Sequence, residues 1–153
     1  MTSHQRPNRG ATDSWLTPRS IVEDLGPFDL DPCCPPVMPW RTATTMIHWP
    51  TDGLAAEWTG RVWLNPPYGN QTGRWLRKLA EHGNGIALIF ARTETVDFHT
   101  HVWSKAHALL FLQGRIHFHH VNGKRAESNA GAPSVLVAYG EDAAVKLRFA
   151  DLT

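Results

Sequence analysis

Arg61-Val62-Trp63-Leu64-Asn65-Pro66-Pro67-Tyr68-Gly69-Asn70-Gln71-Thr72-Gly73 is the stretch whose reading decides the fold. The apolar run 61–64 reads as a short buried strand, and the polar loop after Tyr68 leads into a segment with helical period, 72–82, that turns Trp75, Leu76 and Leu79 inward. Working outward, the strand–loop–helix pattern repeats. Thr17-Pro18 predicts a helix start, with Thr17 as N-cap and Pro18 in the first turn; Ile21, Val22 and Leu25 form its apolar stripe and Gly26 ends it. Phe28 to Asp31 predicts a first strand stopped by Pro32, and 33–51 an ordered loop rich in Pro and Trp. Gly53 to Trp58 suggests one or two helical turns. Further strands are expected at 86–90, 108–112, 115–119 and 134–139, with a helix over 95–106 whose inner face carries Val96, His99, Val102, Trp103 and Ala106. Near-continuous apolar strands at 86–90, 108–112 and 134–138 require a sheet covered on both faces, and so one three-layer α/β domain.

The whole-chain bounds agree. A chain of 153 residues, 42% hydrophobic and 19% charged, suits one globular domain. No run approaches the roughly 18 apolar residues of a membrane span. The polar segment 1–12 lacks the apolar core of a signal peptide and reads as a flexible, mildly basic arm. Adjacent Cys33 and Cys34, without metal-ligand spacing, fit a reducing cytoplasm. With a net charge of +1, any basic face must come from distribution rather than total, and weak affinity for DNA at physiological salt is expected. Arg74, Arg77 and Lys78 lie on the helix after Tyr68, whereas Arg92, Arg115, Lys124 and Arg125 fall at loops or strand ends.

The chemistry concentrates in Asn65-Pro66-Pro67-Tyr68. Proline fixes φ at about −65° and has no amide proton, so the carbonyl groups here stay outside ladder and helix. Asn65 Oδ1 and the Pro66 carbonyl can accept both protons of an –NH2 group, while the Tyr68 ring offers a face to a planar base or amide. An exocyclic amine is a poor nucleophile because its lone pair is delocalised into the ring. Two acceptors favour pyramidalisation and stabilise the positive charge that develops as an electrophilic methyl arrives. An isolated Pro-Pro-Tyr reads better as a packed turn; the flanking strand and helix reverse that. In an open α/β sheet ligands bind at the carboxyl ends of strands, where Asp29, Asp31, Asn65 and Arg92 are all expected. Asp52 ends the loop after the first strand, where it can accept from a ligand amine or hydroxyl, or cap the turn at 53–58.

Two tempting clusters carry less. Pro32-Cys33 is similar to the nucleophile dipeptide of cytosine C5 methyltransferases, but no Glu-Asn-Val partner is present and a thiol beside Asp31 has its pKa raised. His117, His119 and His120, with His99 and His101, lack an acidic or thiol partner at ligand spacing, so a solvated strand edge is the better reading and no metal is expected.

Taken in order, Asp13-Ser14-Trp15-Leu16-Thr17-Pro18, Phe28-Asp29-Leu30-Asp31-Pro32-Cys33, Asp52-Gly53-Leu54, Val62-Trp63-Leu64-Asn65-Pro66-Pro67-Tyr68, Ala91-Arg92-Thr93-Glu94-Thr95, Gly114-Arg115-Ile116-His117-Phe118 and Ala132-Pro133-Ser134-Val135-Leu136-Val137 resemble the phage-type, Dam-like DNA N6-adenine methyltransferases. The resemblance runs from about Asp13 to Tyr139. It implies a Rossmann-like S-adenosylmethionine-dependent methyltransferase domain over 13–153, without a separate target-recognition domain, and DNA as the substrate. It implies that Trp15, Thr17 and Pro18 cradle the methionine end of the cofactor. It places Asp29, Asp31 and Pro32 beside the cofactor and gives the flipped base to Asn65 through Tyr68. One departure is plain: where most methyltransferases have a glycine-rich loop after the first strand, Asp31 is followed by Pro-Cys-Cys-Pro-Pro.

The same tetrapeptide occurs in methyltransferases of protein glutamine and of RNA bases, and a DNA-binding module without catalysis is the non-enzymatic alternative. Arg92, Arg115, Lys124 and Arg125 are the DNA-contact candidates, Arg92 for a phosphate beside the flipped base or as a surface charge. Only the arm, the loop 33–51 and the loop 120–132 remain to read a target. A short or relaxed site, salt-sensitive binding and a monomer or homodimer are therefore expected.

Overall fold

The computed structural model describes residues 16–127 and 130–152. Six strands form one mixed sheet: β1 (Leu30–Asp31), β2 (Thr45–Met46), β3 (Val62–Leu64), β4 (Gly85–Phe90), β5 (Ala108–Phe111) and β6 (Ser134–Tyr139), in the order β2-β1-β3-β4-β6-β5. The first four are parallel neighbours, and β6 runs antiparallel between β4 and β5. Helix α1 (Arg19–Leu25) precedes the sheet, α2 (Thr72–His82) links β3 to β4, and α4 (Glu141–Arg148) follows β6. Between β4 and β5 the short α3 (Val96–Phe98) continues into a π-helical turn, His99–Trp103.

Period-two strands explain why both faces are apolar. Trp63, Ile86, Leu88, Leu136 and Ala138 point to one side, where they meet Val22 and Leu25 of α1 and Ala143 and Leu147 of α4. Val62, Leu64, Ala87, Ile89, Val135 and Val137 point to the other, against Trp75, Leu76 and Leu79 of α2 and Phe98 and Val102. Every residue of β6 is buried, as a strand covered on both faces must be.

Four expectations are corrected, and one helix is added. The first strand is shorter than 28–31, and part of the loop 33–51 pairs with it as β2 through Leu30↔Thr45 and Asp31↔Met46. Helix α1 has Pro18 in the N-cap position and receives no side-chain cap, so Thr17 is not its cap. The stretch 115–119 is not a strand. Ile116 and Phe118 do alternate into the core, but their carbonyls accept from Ala130 and Ala126 of the loop folded back over them. The helix over 95–106 is mostly the π-helical turn, whose wider winding moves the inner face. Phe98 and Val102 are buried, whereas Val96 is 80% exposed and His99 and Trp103 also face outward. Helix α4, absent from the sequence reading, has acidic Glu141 and Asp142 in its first turn and basic Lys146 and Arg148 in its last, matching the helix dipole.

Candidate active site

The carboxyl ends of β1, β3 and β4 form one rim, carrying Asp31, Asn65 and Arg92 respectively. Asp29 is not part of it. It precedes β1 at the amino edge, where its carboxylate accepts the Arg61 amide proton at 2.7 Å and its own N–H reaches the Arg61 carbonyl. The expectation that Asp29 shares an edge with Asn65 is therefore corrected: parallel β1 and β3 put the two residues at opposite ends of their strands.

At the end of β3 the Asn65 amide nitrogen donates to the buried Thr17 hydroxyl at 3.2 Å, which turns Oδ1 away from Thr17. Thr17 reaches this position because Leu16 and His119 exchange backbone hydrogen bonds of 2.8 Å each, pinning the segment before α1 to the loop after β5. Among the described residues nothing donates to Asn65 Oδ1 or to the Pro66 carbonyl, since the Thr72 hydroxyl takes the Pro67 carbonyl instead, at 2.7 Å. Two acceptors thus stand uncommitted on consecutive residues, held by proline. Trp15 lies outside the described residues, as does the arm 1–12. Pro18 is half-buried at the head of α1.

Tyr68 lies with its ring stacked on Phe90, centroids 4.1 Å apart and planes 8° apart, and edge-on to Phe118 at 6.4 Å. Burial pushes its hydroxyl above the ordinary tyrosine value, so it stays protonated at neutral pH. The stacked pair divides two cavities. One, of about 670 Å³, is walled by Tyr68, Phe90 and Phe118 and by the loop carrying His120, Lys124 and Arg125. The other, about 350 Å³, lies between α2 and α3 and includes Arg92. Phe90 and Phe118 escaped the sequence reading as site residues. Only the Ile116-x-Phe118 alternation signals that Phe118 turns inward, and nothing local reveals that it reaches Tyr68. Of the basic candidates, Lys124 and Arg125 line the first cavity, Arg92 lines the second with its guanidinium 5.8 Å from the Phe90 ring, and the exposed Arg115 lines neither. On α2, Lys78 instead donates to the Leu54 and Ala56 carbonyls, at 2.7 and 2.5 Å.

The end of β1 is organised differently. Asp31 is 3% exposed, and its two oxygens accept from the Thr42 hydroxyl and the Cys33 amide. Desolvation raises its pKa from 3.8 to about 6, against the lowering effect of those two hydrogen bonds. Cys33 and Cys34 are pushed up to about 12 by burial and by the neighbouring Asp31 charge, and the Cys34 thiol donates to the Ile47 carbonyl. Neither is a thiolate nucleophile at neutral pH. Buried Pro32 is met by the next loop at Gly53, where any Cβ would collide with the Pro32 carbonyl. Asp52, beside it, is exposed and gives one oxygen to the Leu54 amide at 2.9 Å. The capping role is therefore present, and its second oxygen has no partner among the described residues. The histidines divide similarly: His119 Nδ1 lies 2.9 Å from the Gly123 carbonyl, while the buried His117 Nδ1 has no hydrogen-bond partner among the described residues.

Among known proteins, the family model described as DNA N-6-adenine-methyltransferase (Dam) matches residues 4–145 of this chain. No curated protein and no solved structure matches it significantly.

Proposed function

The chain belongs to the DNA N-6-adenine-methyltransferase (Dam) family, and on that premise we propose that it transfers a methyl group from S-adenosylmethionine to N6 of an adenine in DNA. The observation that carries the reading is the pair of uncommitted acceptors, Asn65 Oδ1 and the Pro66 carbonyl, just ahead in the chain of Tyr68, which walls an aromatic-lined cavity. Adenine N6 carries two protons and a delocalised lone pair. Accepting both protons holds the amine, draws it toward tetrahedral geometry and offsets the charge that develops on nitrogen. Thr17 acts as a positioning residue, since its hydroxyl occupies the amide nitrogen of Asn65 and leaves the oxygen for substrate. Tyr68 and Phe118 supply the stacking surface for a base swung out of the duplex, and unstacking costs a few kcal/mol that stacking and hydrogen bonds offset. Lys124 and Arg125 at the same cavity suit the phosphates that accompany the base.

The rim between β1 and β3 fits the methyl donor. Its sulfonium is a cation, and the described residues set two carboxylates there, Asp31 beneath the surface and Asp52 on it. When bound, S-adenosylmethionine supplies an electrophilic methyl group. The free oxygen of Asp52 would hold a ribose hydroxyl or the adenine amine, and Thr17, Pro18 and Trp15 the methionine end. Asp31 shapes the turn at Pro32 and Cys33 from below. The apolar clusters on both faces of the sheet support the reading of a three-layer Rossmann-like domain, in which the cofactor and target sites would lie side by side on one rim.

The test is direct. Purified chain is incubated with unmethylated plasmid DNA and isotopically labelled S-adenosylmethionine, and the digested nucleosides are resolved by mass spectrometry. Label in N6-methyldeoxyadenosine is expected; label only in RNA or in protein glutamine would overturn the choice of substrate.

A further inference from the structure

Strand β5 closes one edge of the sheet and pairs only with β6 among the described residues. Leu112 stands opposite Ser134 and gives its N–H to the Ser134 carbonyl. By the alternation of an antiparallel ladder, Ala108 and Leu110 also turn their backbone groups toward β6. Leu109 and Phe111 therefore turn theirs outward, and nothing among the described residues bonds to them. Sheet edges are commonly blunted by a charge, a proline or a bulge that blocks further pairing. The run 108–112 has none of these. Its flank is apolar as well: Trp103 and Phe111 are each about half exposed, their ring centroids 6.5 Å apart.

We propose that this edge docks a second copy of the chain, β5 against β5 in antiparallel orientation about a twofold axis at Leu110. Leu109 of each copy then stands opposite Phe111 of the other, and every outward N–H and C=O group of these residues gains a partner. Leu110 meets its counterpart on one face, and Phe111 meets Leu109 beside Trp103 on the other. Charge selects the same arrangement. After the turn at Gly140, α4 runs back along β6, in the direction of β5, and touches both strands. With strands about 4.8 Å apart, a helix over β5 and β6 comes about 10 Å from its twofold mate, within the packing distance of helices. By helical spacing Glu141 and Arg148 share one flank of α4, and Asp142 and Lys146 share the other. None of the four is in an ion pair among the described residues. Whichever flank faces the axis, an antiparallel mate sets the acid of one copy against the base of the other. That self-complementarity favours a second copy over an unrelated strand, and because the pairing uses up β5, association stops at two.

Sedimentation velocity on the full chain over a range of concentrations tests the proposal, and no part of it depends on methyl transfer. The parent should shift reversibly from the 17.1 kDa monomer to a species of twice that mass, more readily at low salt. Phe111→Pro removes an amide that β6 does not use, and Phe111→Lys sets a charge against Leu109 of the other copy. Each should leave the circular dichroism spectrum unchanged and raise the dimer dissociation constant by about tenfold or more. Lys146→Glu combined with Arg148→Glu should weaken the dimer severalfold. Adding Glu141→Lys and Asp142→Lys should restore it, a rescue that a purely structural role for these charges would not produce. A chain that stays monomeric at every concentration would overturn the proposal. So would a dimer indifferent to both Phe111 variants, since its interface would then lie elsewhere, and so would assembly beyond two copies.

Discussion

The turns after β1 and β3 begin alike, each with a polar residue at the carboxyl end of a short buried strand followed directly by proline, and they finish in opposite electrostatic states. At Asp31 both carboxylate oxygens are taken, by Thr42 and Cys33, and the group is buried to the point that its pKa rises to about 6. At Asn65 only the amide nitrogen is taken, by Thr17, and among the described residues nothing donates to the two acceptors, Asn65 Oδ1 and the Pro66 carbonyl. A fully paired carboxylate is a scaffold element, because a ligand would have to displace its partners. An oriented amide with a free oxygen is ready for a ligand at no reorganisation cost. Closeness to a ligand site and participation in its chemistry are separate properties, and the hydrogen-bond ledger of each rim residue distinguishes them.

That contrast breaks if Asn65 proves dispensable. Asn65→Ala should lower methyl transfer by about a hundredfold or more, as loss of one such transition-state acceptor does elsewhere. Calorimetry should show S-adenosylmethionine binding within a few-fold of the parent. The scaffold side is tested by Asp31→Asn. In the unfolded chain Asp31 ionises near 3.8 and in the fold near 6, so between those pH values the folded state holds the extra proton. Stability from this group is thus present at low pH and lost as pH rises through about 6, a loss of about 3 kcal/mol that persists above it. The Asn variant should flatten that part of the profile and, in thermal melts at pH 7.5, equal or exceed the parent. A variant that melts far lower would show that the charge itself is needed.

Smaller effects sharpen the picture. Tyr68→Ala should cost about 1–3 kcal/mol of binding to an extruded base, measurable as a rise in KM for DNA. Tyr68→Phe should stay close to the parent, because the hydroxyl makes no hydrogen bond among the described residues. The smallest change belongs to Asp52→Ala, worth about 1 kcal/mol of stability through the lost bond to the Leu54 amide. A cofactor affinity that falls beyond this in calorimetry would assign the second oxygen to the ligand; unchanged affinity would leave Asp52 as a cap alone.

Much of this was legible because it is local. The near-continuous apolar runs at 86–90 and 134–138 report burial on both faces, and β4 and β6 bear it out, whereas the run at 108–112 forms the edge strand β5, which is only partly buried. The inward stripe Trp75, Leu76 and Leu79 of α2 reads directly from helical spacing and is buried. Where local signals were weak or competing, the reading slipped. Two-residue β2 has no length from which a period can be read, and its pairing comes from β1 rather than from its own residues. The apolar Val96 and Trp103 suggested an α-helical face that a π-helical turn displaces, a change in winding that composition does not announce. Helix α4 is marked in the sequence only by its end charges, acidic Glu141 and Asp142 and basic Lys146 and Arg148.

The sequence by itself determined the elements and the reactive tetrapeptide: hydrophobic period, proline geometry and the chemistry of an amide are properties of neighbouring residues. Only the tertiary structure decided which polar groups remain open. Asp29 and Asp31 are two residues apart, yet parallel strand pairing commits one to Arg61 at the amino edge and buries the other beneath the rim. Thr17 and Asn65, 48 residues apart, become partners. Phe118 arrives at Tyr68 from a loop beyond β5. Whether a side chain is free to act depends on what donates to it, and in a folded sheet those donors come from segments far away in the chain.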